Sequence, residues 1–190
     1  MSPLFVITGP SATGKTAVVS ALVKLFPEAG HMITTTTRPM RQGEEHGKDY
    51  WFMERSEFER AAKADEFIEW VETYGNLYGS SKVRLEDLRA KHPFVFVLLD
   101  VRGAHTYFEK VSGMQVIFIK PGNINDLKKR LAERKSSTSP EELERRAKEI
   151  KREIELAHEF STVVTNIDGQ LDQTVSEVAR IVRETLAKRG

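Results

Sequence analysis

The feature that most constrains this 190-residue chain is an eight-residue stretch near its N-terminus. Glycine, four residues, glycine, lysine and a hydroxyl residue follow one another, which is the pattern of a loop that cradles phosphate groups. Residues 4–8 before the stretch form an apolar run typical of a buried strand, and residues 17–23 after it have helical spacing. The stretch consists of Gly9, Pro10, Ser11, Ala12, Thr13, Gly14, Lys15 and Thr16.

A loop of this kind binds anions mainly through its backbone. Its glycine bends direct several N–H groups at one point, and the following helix adds its positive N-terminal end. We expect Lys15 to place a charge between the outer phosphates, and the Thr16 hydroxyl to ligate a magnesium ion that bridges them. The alternative interpretation is a solvated turn between a strand and a helix.

Composition narrows the class of protein. The hydrophobic content of 39% and the charged content of 30% are ordinary for a folded α/β protein. A net charge of +1 gives no overall field that would attract nucleic acid or a membrane surface. The absence of cysteine excludes disulfides and thiolate catalysis. No apolar run approaches membrane-spanning length, so we expect a soluble cytoplasmic protein, either a monomer or a homo-oligomer.

Apolar strands alternate with helices along most of the chain. Strands that look buried on both faces and alternate with helices favour a parallel sheet with helices on either side. The sequence thus predicts an α/β fold with a three-layer core. Strands are predicted at residues 94–100, 115–119 and 162–166, and helices at about 103–110, 124–134, 140–160 and 171–188.

Residues from about 34 to 86 differ from the rest, because their predicted strands are short. They indicate a small α+β lobe inserted into the core. Within it, Ser56 and Glu59 form a capping-box pattern that would open a short helix.

Three charged residues outside the loop are candidates for binding. Asp100 ends a buried strand, where the carboxyl ends of parallel strands meet the ligand crevice. It could hold magnesium or accept from a ligand N–H group, or it could simply cap local backbone. Arg38 and Arg41 flank Pro39 in a turn, and their guanidinium groups could bind phosphate oxygens in bidentate fashion. Two arginines in a turn could equally be solvated.

Five further motifs follow the loop in order. They are TTTTRPMRQGE at 34–44, GKDY at 47–50, EFIEW at 66–70, YGNLYGS at 74–80 and LDVRG at 99–103. Together with the phosphate loop they closely resemble the guanylate kinase family, over nearly the whole chain.

The resemblance implies a single-domain P-loop nucleoside monophosphate kinase of three parts. These are a parallel-sheet core at 1–33, 87–123 and 160–190, an acceptor-nucleotide lobe at 34–86 and a helical lid at about 124–159. The implied reaction moves the γ-phosphoryl group of ATP to GMP with Mg²⁺ present.

The resemblance also implies a role for each matching residue. The eight loop residues would bind ATP, and Thr16 and Asp100 would hold the metal. The acceptor phosphate would be bound by Arg38, Arg41, Tyr50 and Tyr78. The guanine would be faced by Thr34, Glu69, Ser80 and Asp100. Arg130, Arg134 and Arg146 match the arginines of the lid, and the catalytic set would be Lys15, Arg38, Arg134 and Arg146.

A chemical argument supports the role of Glu69. Guanine offers two adjacent donors, N1–H and the exocyclic amine, which one carboxylate can accept as a pair. Adenine would leave that buried acceptor unpaired, a loss of about 1–3 kcal/mol. The alternatives are that Glu69 is a solvated strand residue, and that Tyr50 and Tyr78 pack in the core.

The lid is open to a second interpretation, and the chain departs from the family pattern in two places. The charges of the lid helix could form i,i+4 pairs at its surface, such as Glu144 with Lys148. Leu98 stands where the family commonly has an acidic residue, and the turn at 135–138 lacks the family's usual glycine. Two other functions stay open, a non-catalytic protein-binding module and a kinase for another small phosphate ester. The intact loop argues against the first, and the guanine-facing set against the second.

Overall fold

The computed structural model describes residues 1–73, 75–123, 127, 140–160 and 162–189. The strands are β1 Leu4–Thr8, β2 Gly30–Met32, β3 Thr35–Thr36, β4 Trp51–Phe52, β5 Phe67–Thr73, β6 Asn76–Ser81, β7 Val95–Leu98, β8 Met114–Pro121 and β9 Val163–Asn166. The described α-helices are α1 Lys15–Leu25, α2 Arg55–Lys63, α3 Lys82–Lys91, α4 Val101–Lys110, α5 Pro140–Glu155 and α6 Leu171–Ala187. A 3-10 turn at Leu156–Glu159 follows α5.

Five strands form one parallel sheet in the order β2-β7-β1-β8-β9. The predicted α/β class is therefore confirmed. Because the strands are parallel, the ends of β1, β7 and β9 lie at the same edge of the sheet. The phosphate loop follows β1, Asp100 follows β7 and Asn166 ends β9, so this edge gathers the candidate site.

Alternating side chains of β1 build the two halves of the core. All five of its residues are fully buried. Phe5 and Ile7 pack on one face of the sheet with residues of α1 and α6. Leu4 and Val6 pack on the other face with residues of α3 and α4. Helices thus cover both faces, which confirms the three-layer core and explains why β1 reads as a continuous apolar run.

A second sheet has four short strands in the order β4-β3-β6-β5. It is mixed, because β3 pairs with β4 in parallel and with β6 in antiparallel fashion. Its own small core contains Phe58, Phe67 and Leu77, and the rings of Phe58 and Phe67 stack with centroids 4.4 Å apart. This part has the α+β composition predicted for the inserted lobe, while the limits 34–86 stay a prediction.

Two local predictions were wrong. The capping box at Ser56 and Glu59 does not form, because the N-cap of α2 is Glu54, two residues before Ser56, and it makes no capping side-chain bond. Glu59 instead accepts a hydrogen bond from Arg55 at 2.9 Å. The strand predicted at 94–100 ends at Leu98, because Asp100 already caps α4.

Of the helix predicted at 124–134, the structure describes only Leu127, which is helical and is buried with Ala12 and Ile150. Among the helices that are described, none has the length and apolar character needed to cross a membrane.

A candidate nucleotide-binding site

The phosphate loop depends on glycine at two positions. Gly9 has φ +136°, and a Cβ there would lie 2.2 Å from the backbone oxygen of Ile119. Gly14 has φ +88°, and a Cβ there would lie 2.6 Å from Nδ2 of Asn166. Both the left-handed backbone and the close neighbours exclude larger residues. The two glycines of the motif are therefore required by the fold of the loop as well as by phosphate binding.

Asn166 supports the loop from the end of β9. Its buried amide donates to the carbonyl of Thr13 at 2.7 Å and accepts from the hydroxyl of Thr174 at 2.9 Å. Thr13 in turn donates to the carbonyl of Pro10 at 2.9 Å. The sequence analysis placed Asn166 at the end of a strand but gave it no role. An amide that ends a buried strand at the ligand edge of the sheet is the signal that could have revealed it.

Lys15 is the first residue of α1, and its ammonium group folds back over the loop. It donates to the carbonyls of Gly9 at 2.6 Å and Pro10 at 2.8 Å. Thr16, the next residue, is exposed in the first turn of the helix. The positive end of α1, the ammonium group and the hydroxyl are thus adjacent, as the motif predicts.

Asp100 caps α4 and also reaches the second sheet. Its Oδ1 accepts from the backbone N–H of Gly103 at 2.6 Å, and its Oδ2 accepts from the hydroxyl of Thr73 at 3.3 Å. The capping role that the sequence left open is therefore observed. The contact with Thr73 joins the end of β5 to the edge of the parallel sheet. Leu98 packs against the apolar core beside α1.

Glu153 of α5 is a further carboxylate near the loop. Burial raises its pKa to about 7, the charge of Lys15 opposes this shift, and the charge of Asp100 adds to it. These mutual influences bring Glu153, Lys15 and Asp100 into one electrostatic group. The sequence analysis missed Glu153, because nothing in the charged pattern of α5 separates it from its solvated neighbours.

Arg38 lies in a cluster of aromatic and acidic side chains. Its guanidinium group forms an ion pair with Glu44 at 2.7 Å and lies 5.3 Å from the ring centroid of Tyr50. The rings of Tyr50 and Tyr78 are 6.1 Å apart. Burial alone would lower the pKa of Arg38, but its hydrogen bond with Glu44 and the charge of Glu44 outweigh that effect and raise it.

Arg41 is exposed at the rim of the same cluster, and its backbone N–H donates to Glu44 at 2.8 Å. Glu44 thus ties both predicted phosphate-binding arginines into one turn. Glu44 is part of the motif at 34–44, but no role was predicted for it from the sequence.

Glu69 and Ser80 form a buried pair on β5 and β6. Glu69 is 4% exposed and Ser80 is 0% exposed, and the Ser80 hydroxyl donates to Oε1 of Glu69 at 2.8 Å. The interpretation of Glu69 as a solvated residue was wrong. Burial raises the pKa of Glu69 to about 7, Ser80 works against this shift, and the charge of Asp100 adds to it.

The structure describes Thr34 in full, but only part of the predicted set of lid arginines. Thr34 is half-buried, and its carbonyl accepts from the N–H of Trp51 at 2.9 Å. Arg130 and Arg134 lie outside the described residues, and only the backbone of Arg146 is described, within α5. The expected surface pair forms between Glu144 and Lys148 at 3.0 Å.

The described groups define a class of protein. A loop with the anion-binding pattern lies at the edge of a parallel sheet, and an arginine and tyrosine cluster lies in the second sheet. The second sheet also holds the buried carboxyl group of Glu69, and the half-buried Asp100 connects the two sheets through Thr73. Such a set suits a P-loop phosphotransferase that holds two phosphorylated ligands.

Comparison with known proteins gives the family. A family model described as guanylate kinase matches residues 1–185. A guanylate kinase of Geobacter sulfurreducens is 36% identical over 179 residues, which are 94% of this chain and 87% of that protein. One of Symbiobacterium thermophilum is 35% identical over 185 residues, 97% of this chain and 86% of that protein. The crystal structure of a guanylate kinase from Anaplasma phagocytophilum matches with a TM-score of 0.77 at 28% identity, over 96% of this chain and 85% of that one. The chain belongs to the guanylate kinase family.

Proposed function

We propose that this chain transfers the γ-phosphoryl group of ATP to GMP, giving ADP and GDP. The observation that carries the proposal is the buried pair of Glu69 and Ser80. A carboxylate that is only 4% exposed needs hydrogen-bond donors, and a guanine base would supply two. The family membership and the intact phosphate loop support the same reaction. We place the enzyme in the cytoplasm, with ATP and GMP as its partners.

The donor nucleotide binds at the phosphate loop. The left-handed turns at Gly9 and Gly14 direct backbone N–H groups towards the β- and γ-phosphates. Lys15 exchanges its two loop carbonyls for phosphate oxygens, which is a favourable replacement because the new partners are charged. These groups stabilise charge that spreads over the transferred phosphoryl group.

Magnesium fits the donor set beside the loop. The Thr16 hydroxyl and the Asp100 carboxylate are oxygen ligands of the kind that Mg²⁺ prefers, and one or two such protein ligands suffice because phosphates and water supply the rest. When bound, the ion would neutralise negative charge on the outer phosphates of ATP. Asp100 would take this role or face the base from its position at the cap of α4.

The acceptor phosphate binds at the cluster in the second sheet. Arg38 is already oriented by Glu44 and by the face of Tyr50, so little conformational freedom is lost when it grips a phosphate. Arg41 and the hydroxyls of Tyr50 and Tyr78 are the other donors of this subsite. No general base is required, because the attacking phosphate is already anionic and catalysis consists of positioning and charge stabilisation.

The base is selected by hydrogen bonding in the buried pocket. Glu69 accepts the N1–H and the exocyclic amine of guanine, with Ser80 holding one carboxylate oxygen. The ionised carboxylate is required, since a protonated oxygen would face a guanine donor with a donor. Arg134 and Arg146 would complete the phosphoryl site when the lid closes, which also excludes water.

A comparison of acceptors tests the proposal. The purified chain is assayed for ADP release with GMP, dGMP, AMP and ribose 5-phosphate at equal concentrations. We expect GMP to be used at least a hundredfold more efficiently than AMP, because AMP leaves the Glu69 carboxylate unpaired. Equal or better turnover of AMP or ribose 5-phosphate would contradict the assignment of the base pocket. Lack of measurable ATP binding would instead favour a protein-binding module.

A further inference from the structure

Tyr107 of α4 carries a hydroxyl that its packing does not explain. The side chain is 0% exposed and packs in the apolar cluster between the parallel sheet and α4. A phenylalanine would fill the same space. Within the described residues, the phenol oxygen is one of two buried side-chain oxygens without a hydrogen-bond partner, the other being the hydroxyl of Thr8. An unpaired buried hydroxyl costs free energy, so its presence calls for an explanation.

The position of Tyr107 on its helix points to the base pocket. Asp100, Gly103 and Tyr107 are spaced by three and four residues, so they lie along one face of α4. A Cβ at Gly103 would lie 3.1 Å from Oδ1 of Asp100 and 3.2 Å from Oε2 of Glu69. This face is therefore the wall behind the two carboxyl groups expected to face guanine, and Tyr107 lies one turn further along it.

Ser80, Glu69 and Arg89 are polar side chains that lie close enough to influence the pKa of the phenol. Burial raises the pKa of Tyr107, the nearby hydroxyl of Ser80 lowers it, the charge of Glu69 raises it and the charge of Arg89 lowers it. No hydrogen bond to the phenol oxygen is formed in this structure within the described residues, so its proton is available to a neighbouring acceptor. Because the phenol stays protonated at neutral pH, it can act as a donor at this position throughout the working range.

We propose that Tyr107 is a specificity-determining positioning residue that acts on guanine through Ser80 and Glu69. When guanine occupies the pocket, the O–H group of Tyr107 donates to Oγ of Ser80, and a hydroxyl that accepts there directs its own single proton elsewhere, towards Oε1 of Glu69, the partner it already has in this structure. Glu69 is then held in the orientation that accepts both donors of the base. Without the phenol, the Ser80 hydroxyl can rotate and the carboxylate loses its fixed direction. This inference rests on the proposed function, because it refines the guanine site of that reaction.

The test removes the hydroxyl alone, in Tyr107→Phe, and compares GMP with inosine monophosphate, which lacks the exocyclic amine. We expect the KM for GMP to rise about three- to tenfold, the effect of one buried hydrogen bond, with kcat and the KM for ATP unchanged. The preference for GMP over inosine monophosphate in kcat/KM should fall by a similar factor. Thr8→Val is the matched control, because it deletes the other poorly bonded buried hydroxyl and should leave that preference unchanged.

A double-mutant cycle separates positioning from packing. In a Ser80→Ala background, Tyr107→Phe should have no further effect on the KM for GMP, because the relay is already broken. An additive effect, an unchanged preference, or an equal loss with both substrates would overturn the proposal. A Tyr107→Phe protein that fails to fold would also contradict it, since phenylalanine keeps the packing. Failure of the proposed function itself would be visible earlier, as a wild-type protein that does not phosphorylate GMP.

Discussion

A buried carboxyl group with a single side-chain hydrogen bond is costly for a protein to keep ionised. Glu69 has this environment, and burial raises its pKa to about 7. A ligand that supplies two hydrogen-bond donors offsets the free-energy cost of keeping this carboxyl ionised, whereas a ligand with one donor or none does not. In the proposed reaction, the group that weakens the empty protein would thus also select the substrate, which is a common relation between stability and function.

The protonation state of Glu69 should make the use of GMP depend on pH. Below a pKa of about 7 the Glu69 carboxyl is protonated and cannot accept both guanine donors. We therefore expect the KM for GMP to rise about tenfold between pH 8 and pH 6, while the KM for ATP changes little. Steady-state kinetics at saturating ATP measure this. Glu69→Gln is the control, because any change that it retains belongs to the phosphate of GMP and not to this carboxyl.

Removing the charge of the Glu69 carboxyl should make the folded protein more stable at high pH. A carboxyl whose native pKa of about 7 exceeds its ordinary value of 4.5 binds its proton more tightly when folded, so stability falls as the pH rises from 4.5 to 7. Removing the charge in Glu69→Gln should raise the free energy of unfolding at pH 8 by up to about 3 kcal/mol, with no gain at pH 4.5. Denaturant titration without nucleotides measures it. A less stable variant at pH 8 would show that the carboxylate is well compensated in the empty protein.

For a variant of Lys15 we expect a loss of activity with little change in the stability of the fold. Its two bonds to loop carbonyls are partly exposed to solvent, so Lys15→Ala should shift the melting temperature by only a few degrees. Turnover should fall at least a thousandfold, because charge stabilisation of the transferred group is removed. Lys24→Ala, at the exposed end of the same helix, is the control and should retain full activity. Near-normal turnover by the Lys15 variant in a coupled ADP assay would remove Lys15 from the mechanism.

Among the elements, β9 is important because it orders a loop that is distant in sequence. The buried amide of Asn166 bonds to the loop carbonyl of Thr13 and to the hydroxyl of Thr174. The loop therefore depends on a strand and a helix that follow it by about 150 residues, which makes its shape a property of the tertiary fold.

Asn166→Ala should consequently affect both stability and ATP binding. Two buried hydrogen bonds disappear and the carbonyl of Thr13 loses this donor, whereas the Thr174 hydroxyl keeps its bond to the carbonyl of Gln170 at 3.3 Å. We therefore expect a loss of about 1–3 kcal/mol in the free energy of unfolding. The KM for ATP should rise more than that for GMP, because the loop loses its support. Thr165→Ala, the exposed neighbour on the same strand, is the control. Equal effects on the two substrates would indicate a general loss of the fold instead of local disorder of the loop.

Local signals explain which elements could be predicted from sequence. The continuous apolar run of β1, the glycines of the loop and the spacing of α1 are all short-range features, and the structure reproduces them. The predicted capping box does not form because α2 already includes Arg55 and Ser56, and Arg55 forms a hydrogen bond with Glu59. Glu153 and Tyr107 were missed because their importance arises from neighbours supplied by other elements, which no local pattern reveals.

At the scale of the whole molecule, residues from the two sheets have to act on one reaction. The phosphate loop and Asp100 lie at the edge of the parallel sheet, Thr73 connects Asp100 to the second sheet, and Arg38 with its tyrosines lies within that sheet. In the proposed reaction, two phosphorylated ligands would bind at these places. Cations are present in both groups, Lys15 in the loop and Arg38 in the second sheet, and transfer between two anions requires such charges.

The measurement that tests this most directly is a crystal structure with GMP and a non-hydrolysable ATP analogue bound together. The account predicts the analogue's phosphates in the loop at residues 9–16, the GMP phosphate on Arg38 and Arg41, and the guanine N1–H and amine on Glu69. GMP bound elsewhere on the molecule, or Glu69 turned into solvent while the base occupies the pocket, would contradict it.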